Sequence, residues 1–169
     1  AAKGADVLDI DTEFFDHALG LKTYGYLRLA QLVVPHMKKN GWGRIINIAG
    51  GAGATPARGN LPTSFANITV LNMTRGLSDA VTPDGIIVNT VCPGGTNTQR
   101  ARDMAQAAAD KQGKSVEEVI KERSARIPAG RMAEPEEVAN MVCFLASEAN
   151  SYSFGTSIYM DGGARRGTP

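Results

Sequence analysis

The 169-residue chain reads as an α/β protein, a layered sheet of three parallel strands flanked by helices. Two observations predict it. Short β-branched runs recur at 44–48 (RIINI), 86–91 (IIVNTV) and 156–160 (TSIYM), each close to Gly or Pro, which is the signature of buried strands. Longer segments with apolar residues at helical spacing separate them. Strands that alternate with helices pair in parallel through right-handed crossovers.

The elements follow in order. Asp11 or Thr12 is placed to cap a helix running to Asn40, along which Phe15, Ala18, Leu19, Leu27, Ala30 and Val34 keep near-helical spacing. Pro35 is expected to kink or loosen its last turn, and Asn40-Gly41 to end it. After the first strand comes a loose loop, AGGAGATPARGNLPT, and then a helix over about 64–81 carrying Phe65, Ile68, Leu71 and Leu77. Pro83-Asp84-Gly85 signals a turn into the second strand, which Pro93-Gly94-Gly95 ends. The polar, alanine-rich stretch 99–130 reads as a helical, lid-like insertion, with Ser115 and Glu118 forming a capping box. Pro135 opens a last helix with Glu136 and Glu137 at its positive end. The expected organisation is a single, incomplete domain over 1–169. Three parallel strands make a small sheet, so at least one edge is expected to be open or covered by another chain.

Composition narrows the function classes. Lys plus Arg is 18 and Asp plus Glu is 17, so charge supplies no drive toward nucleic acid or an anionic membrane. The apolar runs are too short for a membrane span, and the mixed start AAKGADVLDID does not read as a signal peptide. Cys92 and Cys143 lie far apart in apolar runs and are expected to be buried, reduced thiols rather than ligands, with no metal site. A soluble, cytoplasmic chain is the expectation.

Five strings fall in register with one family: GRIINIAGGAG, LNMTRGLS, PDGIIVNTVCPG with Thr98 five residues after Pro93, GRMAEPEEVANMVCFLASEANSY, and a terminal DGG. Together they resemble the short-chain dehydrogenase/reductase family, NAD(P)-dependent oxidoreductases on a Rossmann fold, over about residues 7–163. The resemblance implies a Rossmann-like sheet with the three strands in spatial order as they occur in the chain. It also implies that this sequence matches the later part of the family's chain, without the glycine-rich turn that seats the dinucleotide pyrophosphate on a helix N-terminus. NAD or NADP is therefore the implied cofactor, and this chain alone is expected to bind it weakly if at all. Gly50–Thr55 is glycine-rich but leads into PARGNLP rather than opening a helix, so it reads as a loop and not a phosphate cradle.

The family works with a Ser, a Tyr thirteen residues on, and a Lys four beyond that. Tyr exchanges the substrate proton, Lys lowers its pKa and holds the ribose, and Ser orients the carbonyl. Anchored on VLNMTR, these positions fall on Gly50, Thr63 and Asn67, and alignment through Gly25 puts Lys22 where the family has a relay Asn. All four are changed, so hydride transfer by this chain is not expected. Pro93, Gly94 and Thr98 match the segment that holds the nicotinamide end.

Two function classes follow. One is an oxidoreductase-family chain acting on a small carbonyl or alcohol compound. The other is a non-catalytic relative that works by pairing, since the resemblance implies homo-oligomers through helices about 12–40 and 64–81. Lys22 adds a third possibility, a desolvated lysine serving as base or imine donor, set against the more ordinary solvated helix lysine. Asn47 and Asn89 are expected to tie loops. His17 and His36 are expected at the surface, Trp42 as turn packing, and the Tyr24/Arg28 pair as a solvated helix flank.

Overall fold

The computed structural model describes residues 7–56 and 59–166. Asp11 caps α1 (Thr12–Leu19) by accepting the Glu13 N–H. A five-residue π turn, Gly20–Tyr24, joins it to α2 (Gly25–Asn40), with the Gly25 N–H reaching back to the Gly20 carbonyl. The irregularity thus sits between two glycines, where the helical backbone is least committed, and not at Pro35, through which α2 continues to Asn40. Gly41 closes the helix in the left-handed conformation.

β1 (Gly43–Ile48), β2 (Ile86–Pro93) and β3 (Ser157–Met160) form one parallel sheet in the order β1-β2-β3. The strand order is as expected; the bounds shift slightly. β2 runs to Pro93 because a proline costs no ladder bond at a strand's last residue, and the next residue, Gly94, donates to Met160. β3 starts at Ser157 because the Thr156 N–H is taken by the side chain of Asn89. α3 (Leu61–Val81) begins three residues before the expected Ser64, since Pro62 sits in the first turn, where no N–H is needed. The 99–130 region folds as α4 (Gln99–Gln112) and α5 (Val116–Ala125), which bury Ala105, Ala109 and Val119 against each other. The Ser115/Glu118 capping box is formed, and Glu134 with Glu137 makes a second one at α6 (Pro135–Ala146).

β2 is central and buried along nearly its whole length. One side packs Val81, Ile86 and Val88 with Val34, Met37 and Leu77; nearer the strand ends, Ala49, Val70 and Cys92 gather Tyr26, Leu71 and Tyr159. Beneath them a buried polar chain links three elements: Asn47 donates to Thr74 at 2.8 Å, and the Thr74 and Thr90 hydroxyls lie 2.7 Å apart. Asn89 donates to Ser153 and holds Thr156, tying a loop as expected, whereas Asn47 ties β1 to helix α3 and not to a loop.

β1 is an edge. Gly43 donates to Gly85 and Ala49 to Val91, so the odd residues of β1 face β2. By the alternation of a parallel ladder, Arg44, Ile46 and Ile48 turn their backbone groups outward, where no strand lies among the described residues. A groove of about 330 Å³ runs there between the strand and α2, lined by Tyr26, Leu29, Ala30, Val33, Ile46 and Ile48 among others.

Cys92 is buried as expected, but Cys143 is exposed. On α6 the buried residue is Leu145, and two residues along a helix is roughly 200°, which turns Cys143 to the opposite side. His17 and His36 are exposed. Trp42 is 46% exposed, with the Arg44 guanidinium 4.9 Å from its ring centre, so it packs against a side chain at the start of β1. Arg28 lies 6.0 Å from the Tyr24 ring on the outer flank of α2.

Candidate active site

The site lies where β1 ends, between the π turn and α3. Ile48 is the last strand residue; the chain then turns through Ala49 and Gly50 into a single 3-10 turn, Gly51–Gly53. This turn is pressed onto α3. A Cβ on Gly53 would stand 2.9 Å from the Asn67 and Ile68 backbone, and one on Gly50 would stand 3.0 Å from the Asn67 amide. Gly50 and Gly53 therefore serve close packing against a helix.

Asn67 is buried and central. Its Oδ1 accepts the Gly50 N–H at 2.9 Å and Lys22 Nζ at 2.5 Å. Lys22 Nζ also donates to the Ile48 carbonyl at 3.3 Å, and the Tyr26 hydroxyl donates to that same carbonyl at 3.0 Å. The two helices are pinned around this point by the Thr23 and Thr69 hydroxyls, 2.6 Å apart, and by an edge-on Phe15/Phe65 ring pair at 5.5 Å. Lys22 is therefore not a solvated helix lysine. The π turn brings its side chain across to α3, forty-five residues away in sequence.

Burial sets the protonation states. It lowers the Lys22 pKa, opposed only by the neighbouring Cys92. Cys92 is itself pushed up to about 11 by burial, against the pull of Lys22 and Arg165, so near neutrality it is a neutral thiol that leaves Lys22 little support. Burial also raises Tyr26, which keeps its phenol protonated and able to donate to Ile48. Tyr159 is raised likewise by burial and Cys92, with the Arg165 guanidinium 4.2 Å over its ring.

Of the positions picked from sequence, the fold brings Gly50, Asn67 and Lys22 into direct contact, and Thr63 sits one turn before Asn67 on α3. Pro93 is the last residue of β2, Gly94 and Thr98 follow it, and these two have structural work. A Cβ on Gly94 would stand 2.7 Å from the Asp161 Cα, and the Thr98 hydroxyl accepts the Ala101 N–H to cap α4. The described residues thus fit at most one end of a dinucleotide. Among them no cluster of His, Cys, Asp or Glu is placed to hold a metal, and no helix is long and apolar enough to cross a membrane. The cavity beneath α4 and α5, about 430 Å³ and lined by Arg102, Glu117, Ile120, Arg131, Met132 and Glu134 among others, includes none of the Lys22, Gly50 and Asn67 group. Tyr26 was not singled out from the sequence. Its signal was available in the Lys22-x-x-x-Tyr26 spacing, which puts both side chains on one helix face.

A family model described as enoyl-(acyl carrier protein) reductase matches residues 1–165. Among curated proteins, the 3-oxoacyl-[acyl-carrier-protein] reductase FabG of Aquifex aeolicus is 33% identical, over 88% of this chain and 56% of its own length. The crystal structure of L-sorbose reductase from Gluconobacter frateurii, complexed with NADPH and L-sorbose, superposes with a TM-score of 0.94 at 25% identity, covering 99% of this chain and 64% of that one. A short chain dehydrogenase family protein from Francisella tularensis gives 0.85 at 28% identity, covering 96% and 66%. The chain spans between 56% and 63% of the length of the curated relatives it matches.

Proposed function

This chain belongs to the short-chain dehydrogenase/reductase family, and we propose that it is a member that does not by itself transfer hydride and that works by pairing with further copies of itself. The observation that carries the first half is the hydrogen-bonded Gly50–Asn67–Lys22 group. Asn67, at the family's lysine position, uses its carbonyl to bind Gly50 and Lys22, and Thr63 stands where the family has its tyrosine. A threonine hydroxyl ionises too reluctantly to exchange a proton near neutrality, and Gly50 has no side chain with which to polarise a carbonyl. General acid–base catalysis contributes roughly 10²–10⁴-fold, so its loss weighs heavily. The family's cofactor is NAD or NADP, and two of the relatives are named as reductases of a 3-oxoacyl group and of L-sorbose. The substrate class that fits such kinship is a small carbonyl compound or its alcohol.

Pairing is supported by the outer faces of α2 and α3. Leu29 and Leu32 are exposed on one and Phe65 and Ile68 on the other, with Leu21 of the π turn alongside. Apolar groups clustered in this way mark association surfaces.

Calorimetric titration with NAD(H) and NADP(H), then a reductase assay over a panel of ketones, tests the first half. Binding weaker than about 1 mM, worth about 4 kcal/mol, and no turnover are expected; turnover with either cofactor overturns the proposal. Light scattering at micromolar concentration tests the second half. A dimer or tetramer is expected, and a strictly monomeric chain refutes it.

A further inference from the structure

We propose that Lys22 and Tyr26, whose Nζ and hydroxyl meet on the Ile48 carbonyl, form a carbonyl-capturing pair in which Lys22 condenses with a small aldehyde or ketone to an imine. This goes beyond the loss of hydride transfer and needs no nicotinamide.

The geometry prepares the nitrogen. A lysine ammonium has three N–H bonds, and here two are directed at fixed acceptors, Asn67 Oδ1 and the Ile48 carbonyl. The third points away from both. When that proton leaves, the two remaining N–H bonds keep their acceptors, and the lone pair occupies the third direction without any change of rotamer. Both acceptors are neutral, so deprotonation breaks no ion pair with either. Asn67 in turn is held by the Gly50 N–H, which fixes the position of the acceptor. The site is also reachable, because Ile48 is 38% exposed at the outer side of the edge strand.

Tyr26 supplies the second requirement. Attack by the Lys22 lone pair forms the C–N bond and moves the carbonyl π electrons onto oxygen, which must be protonated before it can leave. The Tyr26 O–H, one helical turn from Lys22 and bonded to the same carbonyl, is placed to give that proton and to recover one from the nitrogen. Both amine protons end on the oxygen. The sum is amine plus carbonyl compound giving imine plus water, with nothing oxidised or reduced. Burial acts in the useful direction on both groups, favouring free amine on Lys22 and neutral phenol on Tyr26.

The 169-residue chain is incubated near neutral pH with benzaldehyde or butanone and sodium cyanoborohydride, which reduces any imine to a stable secondary amine, and the adduct is mapped by peptide mass spectrometry. Lys22 is expected to label measurably faster than the chain's other lysines, because burial shifts it toward the free amine and Tyr26 stands ready to protonate the carbonyl oxygen. Tyr26→Phe, checked by circular dichroism and melting, is expected to slow Lys22 labelling by roughly 10²-fold, the low end for a positioned proton donor. Lys22→Arg is expected to abolish the fast phase. Labelling spread evenly over all lysines of the unaltered chain overturns the proposal whatever the variants do. A folded Tyr26→Phe chain that labels at the original rate also overturns the pair. Neither readout depends on cofactor binding or hydride transfer, so this proposal and the one before it fail separately.

Discussion

Replacing Thr74 by Val is expected to be among the more damaging single-atom exchanges in the chain, although the two side chains share a shape. Thr74 is fully buried, as is Thr90, and Asn47 is 7% exposed. The Thr74 hydroxyl serves both, at 2.8 Å from Asn47 Nδ2 and 2.7 Å from the Thr90 oxygen. Removing it strands two polar groups away from water, at about 1–3 kcal/mol each. The added methyl recovers about 1 kcal/mol by apolar burial. The net loss is about 1–5 kcal/mol, or a fall of roughly 2–20 °C in melting temperature for a chain of this size. The consequence reaches the site, because Asn67 lies two turns before Thr74 on the same face of α3, and the polar chain seats that face on β1 and β2. Thr90→Val is the control: Thr74 still accepts from Asn47, so one bond is lost and the cost is about 1 kcal/mol. Differential scanning calorimetry of both variants decides. A Thr74→Val chain that melts within about 2 °C of the original, or a Thr90→Val chain that falls as far as Thr74→Val, would refute the reasoning.

Two further predictions concern titratable groups. In the native chain a disulfide reagent such as dithionitrobenzoate at mildly alkaline pH is expected to react promptly with exposed Cys143 and not with Cys92, which is buried and has its pKa pushed up to about 11; two equivalents reacting at once would contradict this. Glu137 accepts both guanidinium bonds of Arg131 at 2.7 Å and the Glu134 N–H, which hold its carboxyl at about 2. Since that folded value is depressed, its stabilising contribution is present above the ordinary carboxylate range and is lost as pH falls toward about 2. NMR titration should show the low midpoint, and Arg131→Leu should raise it while leaving it below the ordinary value, since the Glu134 N–H still donates.

What the sequence by itself determined is the local and the repetitive. β-branched runs between turn residues sufficed to locate three strands and their alternation with helices sufficed for parallel pairing, while the order found is the one the family resemblance implied. Asp11, the Ser115/Glu118 box and Pro135 marked helix starts because capping is decided within one turn of chain. The occupants of the four family positions, Gly50, Thr63, Asn67 and Lys22, were legible as residue types. What they do together was not. The Lys22–Asn67 contact joins residues forty-five apart, and it depends on a π turn at 20–24 that the flanking glycines permit but do not dictate; without that turn's extra residue the lysine would face elsewhere. The exposure of Cys143 likewise followed from which face of α6 the sheet covers, since both faces carry apolar residues. The open edge of β1 was foreseeable as a consequence of having three strands, and the spacing put Lys22 and Tyr26 on one helix face, but their meeting on its last carbonyl was decided by packing. Short-range preferences act through neighbouring backbone and can be read along the chain. The direction of a side chain between two helices is set by how those helices are seated on the sheet, and only the folded chain specifies that.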